Sequence, residues 1–126
     1  MVRPSKWNNI ERDNNMDLQI EIQNKLDELN ASVKQLKNTG QNYASSYSNY
    51  RVALAKELVR LKDEGTPVTI AYDIARGNPD IARKKFAEIR DEAIYRANLE
   101  SIKATKLHLK ILENQLQREW SNERQD

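Results

Sequence analysis

The sequence predicts an all-α protein: a long antiparallel helical hairpin, coiled-coil-like, with a short helix at the connecting tip, assembling into a helical bundle. Three observations carry this. Between Ile22 and Leu61 apolar or aromatic residues recur in alternating steps of four and three, the spacing that keeps one seam of a helix against a partner. A second stretch of similar length, from Asn78 to Trp120, contains nothing that forbids helix. Between them lies a connector too short for anything but a reversal of direction.

Composition agrees. Of the 126 residues 32% are charged and 38% hydrophobic, with 3 Gly and 3 Pro; elongated helices need only a narrow apolar stripe and many solvated positions. The 21 basic and 19 acidic residues leave a net charge of +2, too small a surplus to demand a nucleic acid or an anionic membrane. With no Cys there is no disulfide framework, thiolate metal site or thiol nucleophile. No apolar run approaches the roughly 20 residues that span a bilayer, and Met1 to Trp7 lacks the core of a signal peptide. The expectation is a cytoplasmic chain with no membrane contact, no metal and no cofactor.

Taken in order, residues 1–15 are polar, carry Pro4 and Asn14-Asn15, and read as a flexible N-terminal tail. Trp7 and Ile10 either dock onto the helices or stay partly exposed. The first helix is expected over 16–64, with Asn14 or Asn15 as N-cap and Asp17 and Glu21 in the first turn, opposing the helix dipole. Its seam places Leu26, Val33, Gly40, Tyr47, Leu54 and Leu61 at position a. Position d holds Ile22, Leu29, Leu36, Tyr43, Tyr50 and Glu57. Asn38 to Asn42 is rich in poor helix formers around Gly40, yet the phase of the stripe crosses it unshifted, which predicts a continuous helix with a weak point. The tip helix is expected over 67–76, with Pro67 in its first turn, Val68, Ala71 and Ile74 on one side, and Gly77 as left-handed C-cap. Asn78 as N-cap, Pro79 at the first helical position and Asp80 open the second long helix, 78–121, and residues 123–126 read as a flexible C-terminus.

The second long helix is apolar on two sides. Ala82, Phe86, Ile89, Ala93, Ala97, Ala104, Leu107 and Ile111 share one face. Tyr95, Leu99, Ile102, Leu109, Leu112, Leu116 and Trp120 lie nearly opposite. A helix with two apolar faces has more than one neighbour. One hairpin supplies one partner, so the second set is the expected self-association surface, of a dimer or higher homo-oligomer; the N-terminal tail or a folded-back first segment is the alternative cover.

Other features are weaker signals. Tyr43, Tyr47 and Tyr50 could form an aromatic platform for nucleobases, but their spacing is that of a core stripe filling a wide part of the bundle opposite Ala93 and Ala97. Arg83, Lys84, Arg96, Lys103, Lys106 and Lys110 could track a phosphate backbone, although interleaved acids such as Glu88 and Glu92 are the mark of a solvated helix. Val68 to Ala87 has the outline of a helix-turn-helix, with Asp73 where that motif needs a small residue; a capped tip is the plainer reading. His108 is the only histidine and has no ligand partner in the pattern. No phosphate loop, activated nucleophile or carboxylate pair is present, so no enzyme is expected.

Several runs carry a family likeness: Tyr50-Arg51 with Ala53 to Leu58, Gly65 to Thr69, Asp73 to Gly77, and Ile111-Leu112-Glu113 followed by Gln115-Leu116 and Arg118-Glu119-Trp120. Over about residues 43–120 the chain resembles small helical proteins encoded by phages and prophages of Gram-positive bacteria. That resemblance implies a phage early-region accessory protein, near recombination or replication genes; the second apolar stripe adds the expectation of a non-enzymatic, oligomeric module of the host cytoplasm that acts through a protein partner. A nucleic-acid-binding factor of replication, recombination or regulation is the alternative.

Overall fold

In the computed structural model the backbone is described for residues 5–125 and the side chains for residues 14–122. Among the described residues three helices account for the fold: α1 (Ser5–Asp63), α2 (Val68–Gly77) and α3 (Pro79–Gln125). The long helices α1 and α3 pack against each other as a hairpin. The helix α1 runs through Gly40 without interruption.

Both long helices exceed their expected limits. The first begins at Ser5 rather than near residue 16, so Asp17 and Glu21 lie well inside it and not in a first turn. From Ser5 to Thr39 the sequence has neither Gly nor Pro, and once a helix is nucleated each further residue adds a hydrogen bond at little cost. The same reasoning carries α3 past residue 121 to Gln125. The expected docking of Trp7 and Ile10 falls outside the described side chains.

The turn after α1 is closed by its backbone. Gly65 adopts φ +87°, its N–H donates to the carbonyl of Lys62, and the N–H of Thr66 donates to that of Leu61. These paired bonds form a Schellman cap, which wants a residue free of the Cβ penalty. Gly65, not Gly77, is therefore the left-handed glycine. At the other junction Gly77 is helical and Asn78 leaves the helix at φ −66°, ψ 127°. The Asn78 side chain then accepts from the Asp80 N–H at 2.9 Å, capping α3.

The chain divides into two compact units. One combines α1 up to Lys34 with α3 from Glu100 onward; the other is Gln35–Leu99. In the first, Leu18, Ile102, Leu109 and Leu112 are buried, and His108 Nε2 lies 3.7 Å from a Glu21 carboxylate oxygen. In the second, Tyr50, Leu54, Leu61, Ala75 and Ile81 form the core, with Ala53 and Leu58 packed on it. Helix α2 contributes Ala71 and Ala75 to this interior and leaves Val68 and Ile74 exposed. The buried side of α2 is thus its alanine face rather than the Val68, Ala71, Ile74 face, because small side chains let its backbone settle closely.

The inward positions of α1 differ from the expected a/d seam. Leu26, Val33 and Tyr47, all at a, are exposed. Position d stays at least half-buried, and the position before a turns inward as well from Lys25 through Ser32, Thr39 and Ser46 to Ala53, though not at Arg60. Only near the tip do Leu54 and Leu61 restore burial at a.

Gly40 and Gly65 call for opposite effects of the same substitution. A methyl at Gly40 would lie 3.4 Å from the Tyr95 ring, in ordinary contact, and would relieve the helical cost of glycine, so Gly40→Ala should stabilise by about 0.5–1 kcal/mol. Gly65→Ala meets no atom but forces an L side chain into the left-handed region, and should destabilise by about 1–2 kcal/mol. Urea unfolding followed by circular dichroism would measure both.

Candidate interaction surfaces

In the 35–99 unit the seam between α1 and α3 is polar. The Thr39 hydroxyl donates to the Asn98 side-chain oxygen at 2.8 Å, and the Ser46 hydroxyl donates to the Asp91 carboxylate. Asn98, Asp91 and Glu88 are all buried. A buried polar group is tolerated only with a partner; for Asn98 and Asp91 the partners stand on α1 at the position before a, while Glu88 is held by Lys85 of its own helix. That requirement rolls α1 so that Thr39 and Ser46 face α3, and it moves Val33 and Tyr47 outward. Counting apolar residues alone could not find this; matching each polar residue of one helix to one on the other could.

The same requirement decides which face of α3 looks inward. Ile102, Leu109 and Leu112 are buried within the single chain, and Tyr95, Leu99 and Leu116 are half-buried. Of the seven residues expected to mediate self-association only Trp120 is exposed. These residues therefore face the interior of the chain, in company with Asn98 and, one turn before Tyr95, Asp91, which find partners across the seam. The outward face is the alanine-rich one. In the 35–99 unit it exposes Phe86 and Ile89 at 65% and 56%, with Ala93 and Ala97 beside them. In the other unit it exposes Leu107 and Ile111 at 61% and 53%.

The tyrosines are structural in the main. Tyr50 is buried, with the Lys85 ammonium 4.7 Å from its ring centroid. Tyr43 packs against Tyr95 with ring centroids 6.0 Å apart and meets Tyr47 edge-on at 6.4 Å. The tyrosines thus oppose Tyr95 and Lys85 rather than Ala93 and Ala97, which are exposed. Burial, helped by the nearby Glu92 and Glu88 carboxylates, raises the Tyr43 phenol above its ordinary value. Tyr47 is exposed beneath the Arg51 guanidinium at 5.3 Å.

Three of the six candidate phosphate-binding residues are held by acids one turn away. Arg83 pairs with Asp80, Arg96 with Glu92 at 2.8 Å and Lys103 with Glu100 at 3.5 Å. The Glu92 hydrogen bond raises the Arg96 pKa. Lys84, Lys106 and Lys110 have no acidic partner among the described residues. Near the tip, Arg60 forks onto Glu57 through 3.0 and 2.6 Å bonds, reaches Glu64, and holds Glu57 below the ordinary carboxylate value.

Among the described residues no three of His, Asp and Glu come together as a metal site. No described helix is long and apolar enough to cross a membrane. Comparison with known proteins leaves the class at a helical hairpin: no family model, curated protein or solved structure matches the chain.

The Ser46 hydroxyl, with Arg90 second, holds the Asp91 pKa below its ordinary 3.8. A depressed carboxylate contributes stability that is fully present above the ordinary value and is lost as pH falls through the folded one. The melting temperature should accordingly drop as pH is lowered below about 4. Ser46→Ala should lower it at neutral pH and shrink the acid-induced drop, as read by circular dichroism across a pH series.

Proposed function

We propose that the chain is a non-enzymatic helical-hairpin module, an accessory protein of a phage or prophage, that self-associates and acts by binding a protein partner. The observation that supports this reading is the exposure of large apolar side chains on α3 opposite its hairpin seam: Leu107 and Ile111 in one unit, Phe86 and Ile89 in the other. A helix that already has a neighbour on one side and keeps such residues on the other is suited to a second neighbour.

Size-exclusion chromatography with light scattering over a concentration series tests the self-association. The wild-type chain should run as a dimer or higher oligomer. Leu107→Glu with Ile111→Glu should give a monomer of unchanged helicity, because neither side chain contributes to the buried interior. A wild-type chain that stays monomeric at the highest concentrations overturns this part of the reading.

The second reading, a nucleic-acid-binding accessory factor, draws on Lys84, Lys106 and Lys110, whose charges have no acidic partner among the described residues. It requires DNA binding that weakens steeply with salt and is lost on Lys106→Glu with Lys110→Glu.

A further inference from the structure

We propose that the open groove beside α2, within the 35–99 unit, docks an acidic amphipathic helix of a partner protein; this deepens the protein-interaction reading above and rests on it. The groove encloses about 540 Å³ and draws on all three helices: Tyr50 from α1, Arg76 from α2, and Ile81, Lys85, Phe86 and Ile89 from α3. Its floor is fixed, since Tyr50 and Ile81 belong to the buried core. Its wall is not covered, since Phe86 and Ile89 are among the most exposed apolar residues of the unit.

The charges around it are sorted by sign. The carboxylates of this part of α3 are turned away or held: Glu88 is buried and paired with Lys85, Asp91 is bound by Ser46 in the seam, and Asp80 is bound by Arg83. The cations stay outside. Arg76 lies 5.2 Å from the Tyr72 ring centroid and has no acidic partner among the described residues. Lys85 lies over Tyr50 while pairing with Glu88, and Arg90, paired with Asp91 at 3.0 Å, stands 6.0 Å from the Phe86 ring centroid, so Arg76 is the rim cation without an acid.

An apolar floor with a cationic rim is complementary to a helix that presents leucine-like side chains at i, i+3, i+4 and i+7 between flanking carboxylates. Phosphates would meet the rim equally well, but a nucleic acid backbone gains nothing from Ile81 and Ile89. The apolar floor is what favours a peptide.

The test uses the full chain and three labelled probes followed by fluorescence anisotropy. They are an amphipathic helical peptide with leucines at those positions and glutamates on its flanks, the same peptide with lysines replacing the glutamates, and a single-stranded oligonucleotide. The glutamate peptide should bind at least about tenfold more tightly than the lysine peptide, and more weakly as salt rises. Arg76→Glu, at an exposed residue beside the Tyr72 ring, should weaken the glutamate peptide. Arg76→Glu with Lys85→Glu should invert the preference between the two peptides, and Phe86→Ser should weaken both. Amide shifts on peptide addition should centre on Ile81, Ala82 and Phe86.

Equal affinity for both peptides, no binding of either, or shifts centred elsewhere overturns the proposal. So does an oligonucleotide that binds and depends on Arg76, which transfers the rim to nucleic acid. A monomeric chain that still prefers the glutamate peptide leaves the groove standing and removes only the self-association. An oligomer indifferent to peptide charge does the reverse.

Discussion

Two hydrogen bonds across the seam, Ser46 to Asp91 and Thr39 to Asn98, set the geometry of the 35–99 unit. Apolar side chains alone specify a seam loosely, because a leucine slides past its neighbour at small cost. A buried carboxylate or amide that loses its donor does not. With residue 39 opposite 98 and residue 46 opposite 91, the helices are antiparallel and their register is defined. The remaining contacts follow from that register. The Tyr95 ring comes to lie against Gly40, where no Cβ intrudes, Lys85 reaches the Tyr50 ring, and Tyr50 joins Leu54, Leu61, Ala75 and Ile81 in the core.

The polar seam also accounts for the surface. Because α3 spends the side carrying Asp91 and Asn98 on its contact with α1, the side carrying Phe86 and Ile89 is left outside. The charged residues reinforce this division. Arg60 with Glu57 and Arg96 with Glu92 are pairs within one helix, and Arg60 also reaches Glu64 just past the end of α1. Exposed pairs of that kind add only tenths of a kcal/mol each. They keep the helices solvated without joining them, so specificity toward another molecule falls to the apolar residues and to cations left without an acid, such as Arg76.

The fold class was legible in the sequence because it rests on features that act locally. The stripe crossing Gly40 in phase announced a continuous α1, and Asn78-Pro79-Asp80 announced the start of α3. What was not legible depends on pairs of residues distant in the chain. Nothing near Ser46 says that its hydroxyl will meet Asp91, and without that pairing the alanine-rich face of α3 looks like the better seam. The left-handed cap was assigned to Gly77 when Gly65 takes it, since both glycines follow a helix and only the backbone bonds to Leu61 and Lys62 distinguish them. The groove around Phe86 was not visible: Phe86 and Ile89 read as the hairpin-facing side of the helix and the neighbouring cations as a solvated surface. Nor was the burial of Glu88 and Asp91, which leaves its rim cationic.

The division into two units has a spectroscopic consequence. All five tyrosines, Tyr43, Tyr47, Tyr50, Tyr72 and Tyr95, lie between residues 35 and 99, whereas both tryptophans, Trp7 and Trp120, belong to the other unit. The chain thus carries two native chromophores sorted by region. Tyrosine absorbance follows the polar seam and the tip, tryptophan emission follows the other unit, and a single melt recorded at both wavelengths resolves them without any label.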